Sequence, residues 1–383
     1  MKPFLSVILF SLLLAACGNA QNNSANGDEQ RLRDDIAQML LVGFRGTALS
    51  DTSHIVRDIR QHHIGGVILF EYDAPSHSRP RNISSPAQLK RLCADLQGLR
   101  SETLLIGIDQ EGGRVTRLKP QYGFPPFPSA ATSAKGGIDS VRSCARLTAS
   151  TLHSLGINLN FAPCVDVNVN PACPIIGKLD RSFGASPRRV AQCAAVWVEE
   201  QQRQGVVACL KHFPGHGSSR SDTHLGLADV SDTWRPTELE PYKALIDSAQ
   251  ANPDDPSRQV RMIMTTHVFN GRIDSLLPAT LSHPTLSGLL RDSLRFDGVI
   301  ITDDLAMGAM TQHYSDTTML RLAILAGADL LCLSNNGADY DPDIVPRTID
   351  LILALVRRGD IPADRIHQSA TRIRRLKQHL LPR

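Results

Sequence analysis

Gly205-Val206-Val207-Ala208-Cys209-Leu210 runs directly into Lys211-His212-Phe213-Pro214-Gly215-His216-Gly217. The first six residues form a short apolar run, the pattern of a strand covered on both faces. The next seven carry a lysine and two histidines among Pro214, Gly215 and Gly217, which break helix and strand alike. A shaped loop is therefore expected from Lys211 onward. Asp222-Thr223-His224 follows, so three histidines, a lysine and a carboxylate fall within the fourteen residues Lys211 to His224. A strand that ends by delivering titratable groups on a loop is how rigid scaffolds present chemistry.

Similar apolar runs recur at spacings too long for hairpins. They are Met39–Phe44, Gly66–Phe70, Leu104–Asp109, Ile157–Val167, Met262–Val268, Gly298–Asp303 and Asp329–Ser334, and with Val206–Lys211 they make eight. Segments with helical spacing lie between them, among them Pro86–Arg100, Ser140–Leu155, Pro187–Gln204, Ser282–Phe296 and Thr317–Ala326. Strand-helix alternation repeated eight times predicts an α/β fold, a single (β/α)8 TIM barrel whose catalytic loops lie at the C-terminal ends of the strands. Ile344 to Leu381 would supply closing helices. No internal repeat, low-complexity block or second domain interrupts the pattern.

The N-terminus reads differently. Lys2 precedes a largely apolar run of thirteen residues, Phe4 to Ala16, short of the about 20 needed to span a bilayer. It ends in Leu14-Ala15-Ala16-Cys17, the pattern of a bacterial lipoprotein signal with Cys17 as the lipidated residue. An ordinary secretory signal with a chance cysteine is the blander reading. Residues 1–16 are thus expected to be a signal peptide, 17–30 a flexible tether, and 31–383 the barrel. The expected location is a membrane-anchored lipoprotein, periplasmic or on the outer membrane. A hydrophobic content of 42% is ample for one core, and a net charge of +3 singles out no class of partner. No basic run with interleaved aromatics points to nucleic acid. Seven cysteines follow Cys17 without a CxxC pair, which is neither a disulfide framework nor a zinc knuckle. Cys164 and Cys173 flank one loop and could bridge in an oxidising compartment.

Polar residues cluster where the strands end. Strand three runs into Asp109-Gln110-Glu111-Gly112-Gly113-Arg114, strand five delivers Lys211-His212, strand six ends at His267 and strand seven at Asp303-Asp304. One acidic residue after a strand is usually a helix cap, but several converging strand ends suit glycoside hydrolysis, which needs a nucleophile or base and an acid. Alternation does not decide which of Asp303 and Asp304 faces the substrate. Asp222 and His224, two apart, share a side in an extended segment, and a carboxylate beside an imidazole favours its protonated form. Such a pair can protonate a leaving group and later deprotonate water; an N-cap aspartate beside a surface histidine has the same spacing. A metal reading rests on His212 and His216 at i, i+4, with Asp222 and His224 completing a site. Pro214 and Gly215 stand between those histidines and oppose the helix that this spacing requires, so no metal and no cofactor is expected.

At these residues the sequence resembles a family 3 glycoside hydrolase of the β-N-acetylglucosaminidase branch. The resemblance spans roughly Asp34 to Leu376 and rests on Asp109-Gln-Glu-Gly-Gly-Arg-Val-Thr-Arg117, Asn160-Phe-Ala-Pro163 with Asp166-Val-Asn168, and Arg181-Ser-Phe-Gly184. The Lys211-to-Gly217 loop with Asp222-Thr-His224, and Ile301-Thr-Asp-Asp-Leu-Ala-Met307, complete it. It implies a retaining, two-step mechanism with Asp303 as nucleophile and His224 as acid/base partnered by Asp222 on a mobile loop. Asp109, Arg117, Arg181, Lys211 and His212 would bind the N-acetylglucosamine unit, whose acetamido group would serve recognition. Only 80 residues follow Asp303, so no second sandwich domain is expected, and the loop dyad takes the acid role. The loop Pro174-Ile-Ile-Gly-Lys-Leu-Asp180 and the cysteines at 164 and 173 depart from the family pattern, as does the lipoprotein signal. The implied enzyme is a monomeric exo-β-N-acetylhexosaminidase acting on peptidoglycan-derived or chitin-like glycans, reaching the membrane only through its N-terminal lipid. A phosphorylase, a glycosidase of other sugar preference, a metal-dependent hydrolase and a lipid-anchored sugar-binding protein without catalysis are the alternatives.

Overall fold

The eight apolar runs become eight parallel strands: β1 Leu40–Gly43, β2 Gly66–Leu69, β3 Leu105–Ile108, β4 Leu159–Asn160, β5 Val207–Phe213, β6 Met262–Thr265, β7 Val299–Ile301 and β8 Leu331–Leu333. The computed structural model describes residues 27–223 and 225–380. The expected signal peptide, Cys17, most of the expected tether and His224 lie outside the described residues.

The strands pair in the order β8-β1-β2-β3-β4-β5-β6-β7. Register is parallel throughout, with Leu41 opposite Gly66 between β1 and β2 and Met262 opposite Val299 between β6 and β7. The ring closes where the amides of Asp329 and Leu330 donate to Ile300 O at 2.8 and 3.0 Å, and Thr302 N donates to Leu330 O at 3.0 Å. A sheet closed on itself leaves no edge to protect. Nearly every residue of these strands is buried, as expected when side chains fill the barrel and helices cover its outside.

Two elements are shorter or longer than their sequence signals. The apolar run Ile157–Val167 contributes only Leu159–Asn160 to the ladder, because Pro163 has no amide hydrogen to donate. The chain beyond it stays bonded to β5, with Cys209 N donating to Ala162 O at 3.1 Å, Lys211 N to Pro163 O at 3.3 Å and Val165 N to Lys211 O at 2.8 Å. Residues 27–38 are helical, so the last four residues of the expected tether belong to a helix, where Glu29 pairs with Arg357 and Arg33.

That helix and Ala363–Gln378 close the N-terminal mouth of the barrel. Asp35 pairs with His367 and Arg374, and Lys377 Nζ donates to Gln38 Oε1 at 2.7 Å. Asp329, fully buried at the start of β8, takes Ile300 N at 3.0 Å, Ser369 Oγ at 3.0 Å, and the guanidinium groups of Arg291 and Arg365. Removing this carboxylate strands buried cations, the costly way to break a buried ion pair. Asp329→Ala is expected to destabilise the fold by about 3–5 kcal/mol, measured as a lower denaturation midpoint with an unchanged slope.

Candidate active site

Asp109 leaves β3 at the C-terminal mouth and is followed by a small hairpin in which Gln110–Gly112 pairs with Val115–Thr116. Gly112 is required there: its φ is +94°, and an added Cβ would lie 2.1 Å from Pro128 O. The hairpin folds Arg117 back, so that Arg117 Nη2 donates to Asp109 Oδ2 at 3.1 Å while Lys211 Nζ donates to Asp109 Oδ1 at 2.8 Å. Burial opposes ionisation of Asp109, but the charges of Lys211 and Arg117 overcome it and hold the carboxyl well below its usual range. The result is an ionised carboxylate with its side chain 19% exposed at the mouth, while Lys211 behind it is 2% exposed. A carboxylate so fixed can accept two hydroxyl hydrogens from a sugar.

Lys211 and His212 sit side by side on β5, and ordinary alternation would send them to opposite faces. Both reach the site because the register against β6 shifts between Leu210 and Phe213, as bulges do when they re-aim a side chain. Lys211 Nζ also contacts Glu111 Oε1 at 2.7 Å, and Glu111 receives Arg181 Nε and Nη2 at 2.9 and 2.7 Å. Burial raises the Glu111 pKa, but Arg181 and Lys211 bring it down to about 2. Arg181 Nη2 reaches His212 Nε2 at 3.1 Å, and His212 Nδ1 reaches Asp166 Oδ2 at 2.6 Å. A guanidinium can only donate, so Nε2 is the acceptor and Nδ1–H points to Asp166. Asp166 Oδ1 takes the His216 amide at 2.7 Å. Three cations, Lys211, Arg117 and Arg181, are thus matched by the carboxylates of Asp109, Glu111 and Asp166, in one largely buried network.

The strand-end pair is resolved by its partners. Asp304 is turned into the fold: Oδ1 takes Ser334 N at 3.0 Å and Ala306 N at 3.2 Å, and Oδ2 takes Ser334 Oγ at 2.5 Å. Burial raises its pKa, and those donors partly offset the rise. Asp303, half-buried just past β7, is fixed by Asp304 N at 2.8 Å to Oδ1, with its own amide on Thr265 Oγ1 at 3.3 Å. The Cys209 thiol beneath the mouth is pushed up first by burial, then, against the opposing charge of Lys211, by the carboxylates of Asp109 and Asp303. β3 and β7 stand four strands apart in the eight-stranded ring, so Asp109 and Asp303 leave opposite sides of the same mouth. His267, at the end of β6, is structural: Nδ1 meets Thr280 Oγ1 at 2.8 Å and Nε2 meets Asp304 O at 2.9 Å.

Asp109, Arg117, Arg181, Lys211 and His212 lie together in one bonded network. Asp222 lies at the turn before Leu225, whose amide bonds Asp222 O at 3.1 Å. His224 lies outside the described residues. His212 and His216 do not share a helical face; their rings meet edge to face at 6.1 Å. Among the described residues the group close enough to hold an ion is Cys164, Asp166 and His212, where Cys164 Sγ already bonds Asp166 Oδ2 at 3.2 Å. Cys164 and Cys173 are free thiols, the latter directed at His216 O at 3.6 Å. Both pack with Ile175 and Ile176 in a small buried cluster, so the unusual loop is filled by apolar contact.

Residues 31–376 match the model of the glycosyl hydrolase family 3 N-terminal domain. The chain belongs to glycosyl hydrolase family 3. It is 33% identical over 314 residues to a β-hexosaminidase of Nitrosomonas eutropha, covering 79% of this chain and 81% of the relative. A β-hexosaminidase of Thioalkalivibrio sulfidiphilus is 33% identical over 324 residues, covering 82% and 84%. Among solved structures, a family 3 β-N-acetylglucosaminidase from Paenibacillus superposes with a TM-score of 0.78 at 35% identity. That match covers 91% of this chain but 62% of the Paenibacillus chain, so this hydrolase spans under two thirds of that relative. A β-N-acetylhexosaminidase from Beutenbergia cavernae gives a TM-score of 0.78 at 26% identity, covering 91% and 98%.

Two residues of this family 3 hydrolase carry more of the site than their sequence positions disclosed. Glu111 and Asp166 were visible only as letters within motifs, yet Glu111 holds Arg181 and Lys211 in place, and Asp166 holds His212 and the His216 amide. A buried carboxylate bracketed by distant basic residues leaves no local signal. The network also sets a pH limit. Burial lowers the His216 pKa to about 4, with the Asp166 charge partly countering it. The unfolded chain therefore binds that proton more readily, and stability is fully present above about 6.5 and falls toward pH 4. The fall is worth roughly 3 kcal/mol, followed at lower pH by loss of the Glu111 contribution. Urea midpoints between pH 7.5 and 4.5 are expected to drop, and His216→Asn is expected to flatten that drop.

Proposed function

We propose that this hydrolase removes terminal β-linked N-acetylglucosamine from glycans, exo-acting and with retention of anomeric configuration. The observation that carries the reading is Asp303 at the end of β7, four strands round the ring from β3 and the Asp109–Lys211–Arg117 cluster at its end, in a chain whose relatives are named β-hexosaminidases. Asp303 attacks the anomeric carbon as the glycosidic C–O bond breaks, and the leaving oxygen takes a proton from His224. Neutral His224 then takes a proton from water, which attacks the glycosyl-enzyme and frees Asp303. Asp222 favours the imidazolium needed for the first step. Asp109, Arg117, Arg181, Lys211 and His212 bind the sugar and keep its acetamido group for recognition.

Lipid on Cys17 anchors the protein, which acts as a monomer outside the inner membrane on peptidoglycan-derived or chitin-like glycans. Incubation with an aryl β-N-acetylglucosaminide, chitobiose and purified muropeptides, followed by proton NMR of the first-formed sugar, tests the reading. Initial release of the β-anomer supports it. Initial α-anomer, or sugar 1-phosphate when phosphate is added, overturns it. Cys17→Ser is expected to move the protein from the membrane to the soluble fraction; unchanged membrane association removes the lipid anchor from the account.

A further inference from the structure

We infer that Thr223 is a positioning residue for acid catalysis, pinning the segment that carries Asp222 and His224 to the rest of the mouth from two sides. The inference rests on His224 acting as the acid. Thr223 is 1% exposed although its segment lies on the surface, with exposed Arg220 and Ser221 before it and Leu225 79% exposed after it. A buried threonine in an otherwise exposed loop is an anchor: burying its hydroxyl costs free energy unless the group is bonded.

Its bonds run in opposite directions. Thr223 Oγ1 lies 3.3 Å from His216 Nε2, and Thr223 O takes the Ala309 amide at 3.1 Å. His216 Nδ1 has no hydrogen-bond partner. In the neutral ring the proton therefore sits on Nε2 and is donated to Thr223, because a buried unpaired donor costs more than an unpaired acceptor. His216 is itself fixed by its amide to Asp166 Oδ1 at 2.7 Å, and Gly217 beside it approaches Val167 so closely that an added Cβ would lie 1.8 Å from Val167 O. Asp166 also holds His212. On the other side, Ala309 is the second residue of the short helix Gly308–Thr311, six residues beyond Asp303. Thr223 is thus tied both to the sugar-binding network and to the chain that carries the nucleophile, through groups that themselves touch no substrate.

A merely structural residue would depress all substrates alike, whereas a positioning residue for proton donation affects those whose leaving groups need the proton. Thr223→Val keeps the shape and removes the hydroxyl. It is expected to lower kcat/KM, which reports the first step, by about 10-fold or more on chitobiose and to leave kcat/KM on a 2,4-dinitrophenyl N-acetylglucosaminide within about twofold. Thr223→Ser is expected to restore most of the loss. Ala309→Pro removes the second bond at a first-turn helix position where the backbone accepts proline and is expected to show the same selectivity, so together with Thr223→Ser the test survives a Thr223→Val protein that does not fold. Equal loss on both substrates, or wild-type rates on both, overturns the inference. His224→Ala measured alongside separates the two levels: selectivity there but not in Thr223→Val sinks the anchor alone, and no selectivity in His224→Ala sinks the acid assignment beneath it.

Discussion

Asp303→Asn is expected to lower kcat on an aryl β-N-acetylglucosaminide by about 10⁴-fold or more, the scale of losing an essential nucleophile. The amide matches the carboxylate in shape, and its oxygen can still accept the Asp304 amide that fixes Oδ1 at 2.8 Å. The geometry of the strand end should therefore persist, and unfolding free energy should change by less than about 1 kcal/mol. What is lost is the negative charge that attacks the anomeric carbon. Asp304→Asn is the informative contrast. Its carboxylate faces Ser334 and Ala306, so the expected cost falls mainly on stability. Turnover by Asp303→Asn within tenfold of wild type would move the nucleophile elsewhere.

His224→Ala carries the second large effect. General acid catalysis by a positioned imidazole is worth about 10²–10⁴-fold, and that full loss is expected on chitobiose, whose leaving sugar is a poor leaving group. With a dinitrophenyl leaving group the first step needs no proton, so the loss is confined to the second step, where the base is missing. Added azide should then restore turnover and give the β-glycosyl azide, since an anionic nucleophile needs no base. Equal losses on both substrates and no azide product would contradict the acid/base assignment.

The barrel was legible because buried parallel strands are continuous apolar runs, and eight of them leave few other architectures. Their lengths were less so: Pro163 ends the β4 ladder early, which composition alone understates. At the site, residue types were legible and directions were not. Alternation failed at Lys211 and His212 because a register shift turns both into the mouth. It was silent on Asp303 and Asp304, since the difference lies in Ser334, thirty residues beyond Asp304 and just past the next strand. Glu111 and Asp166 acquire their roles only when the fold brings Arg181, Lys211, His212 and His216 around them. Thr223 has no sequence signal beyond its place between two titratable residues.

The most direct test of the account is the mass of the protein after reaction with a 5-fluoro-N-acetylglucosaminyl fluoride, which forms a glycosyl-enzyme quickly and releases it slowly. The expected result is one added glycosyl mass, mapped after proteolysis to the peptide containing Asp303 and absent from Asp303→Asn. No adduct during turnover, or an adduct on another carboxylate, would contradict it.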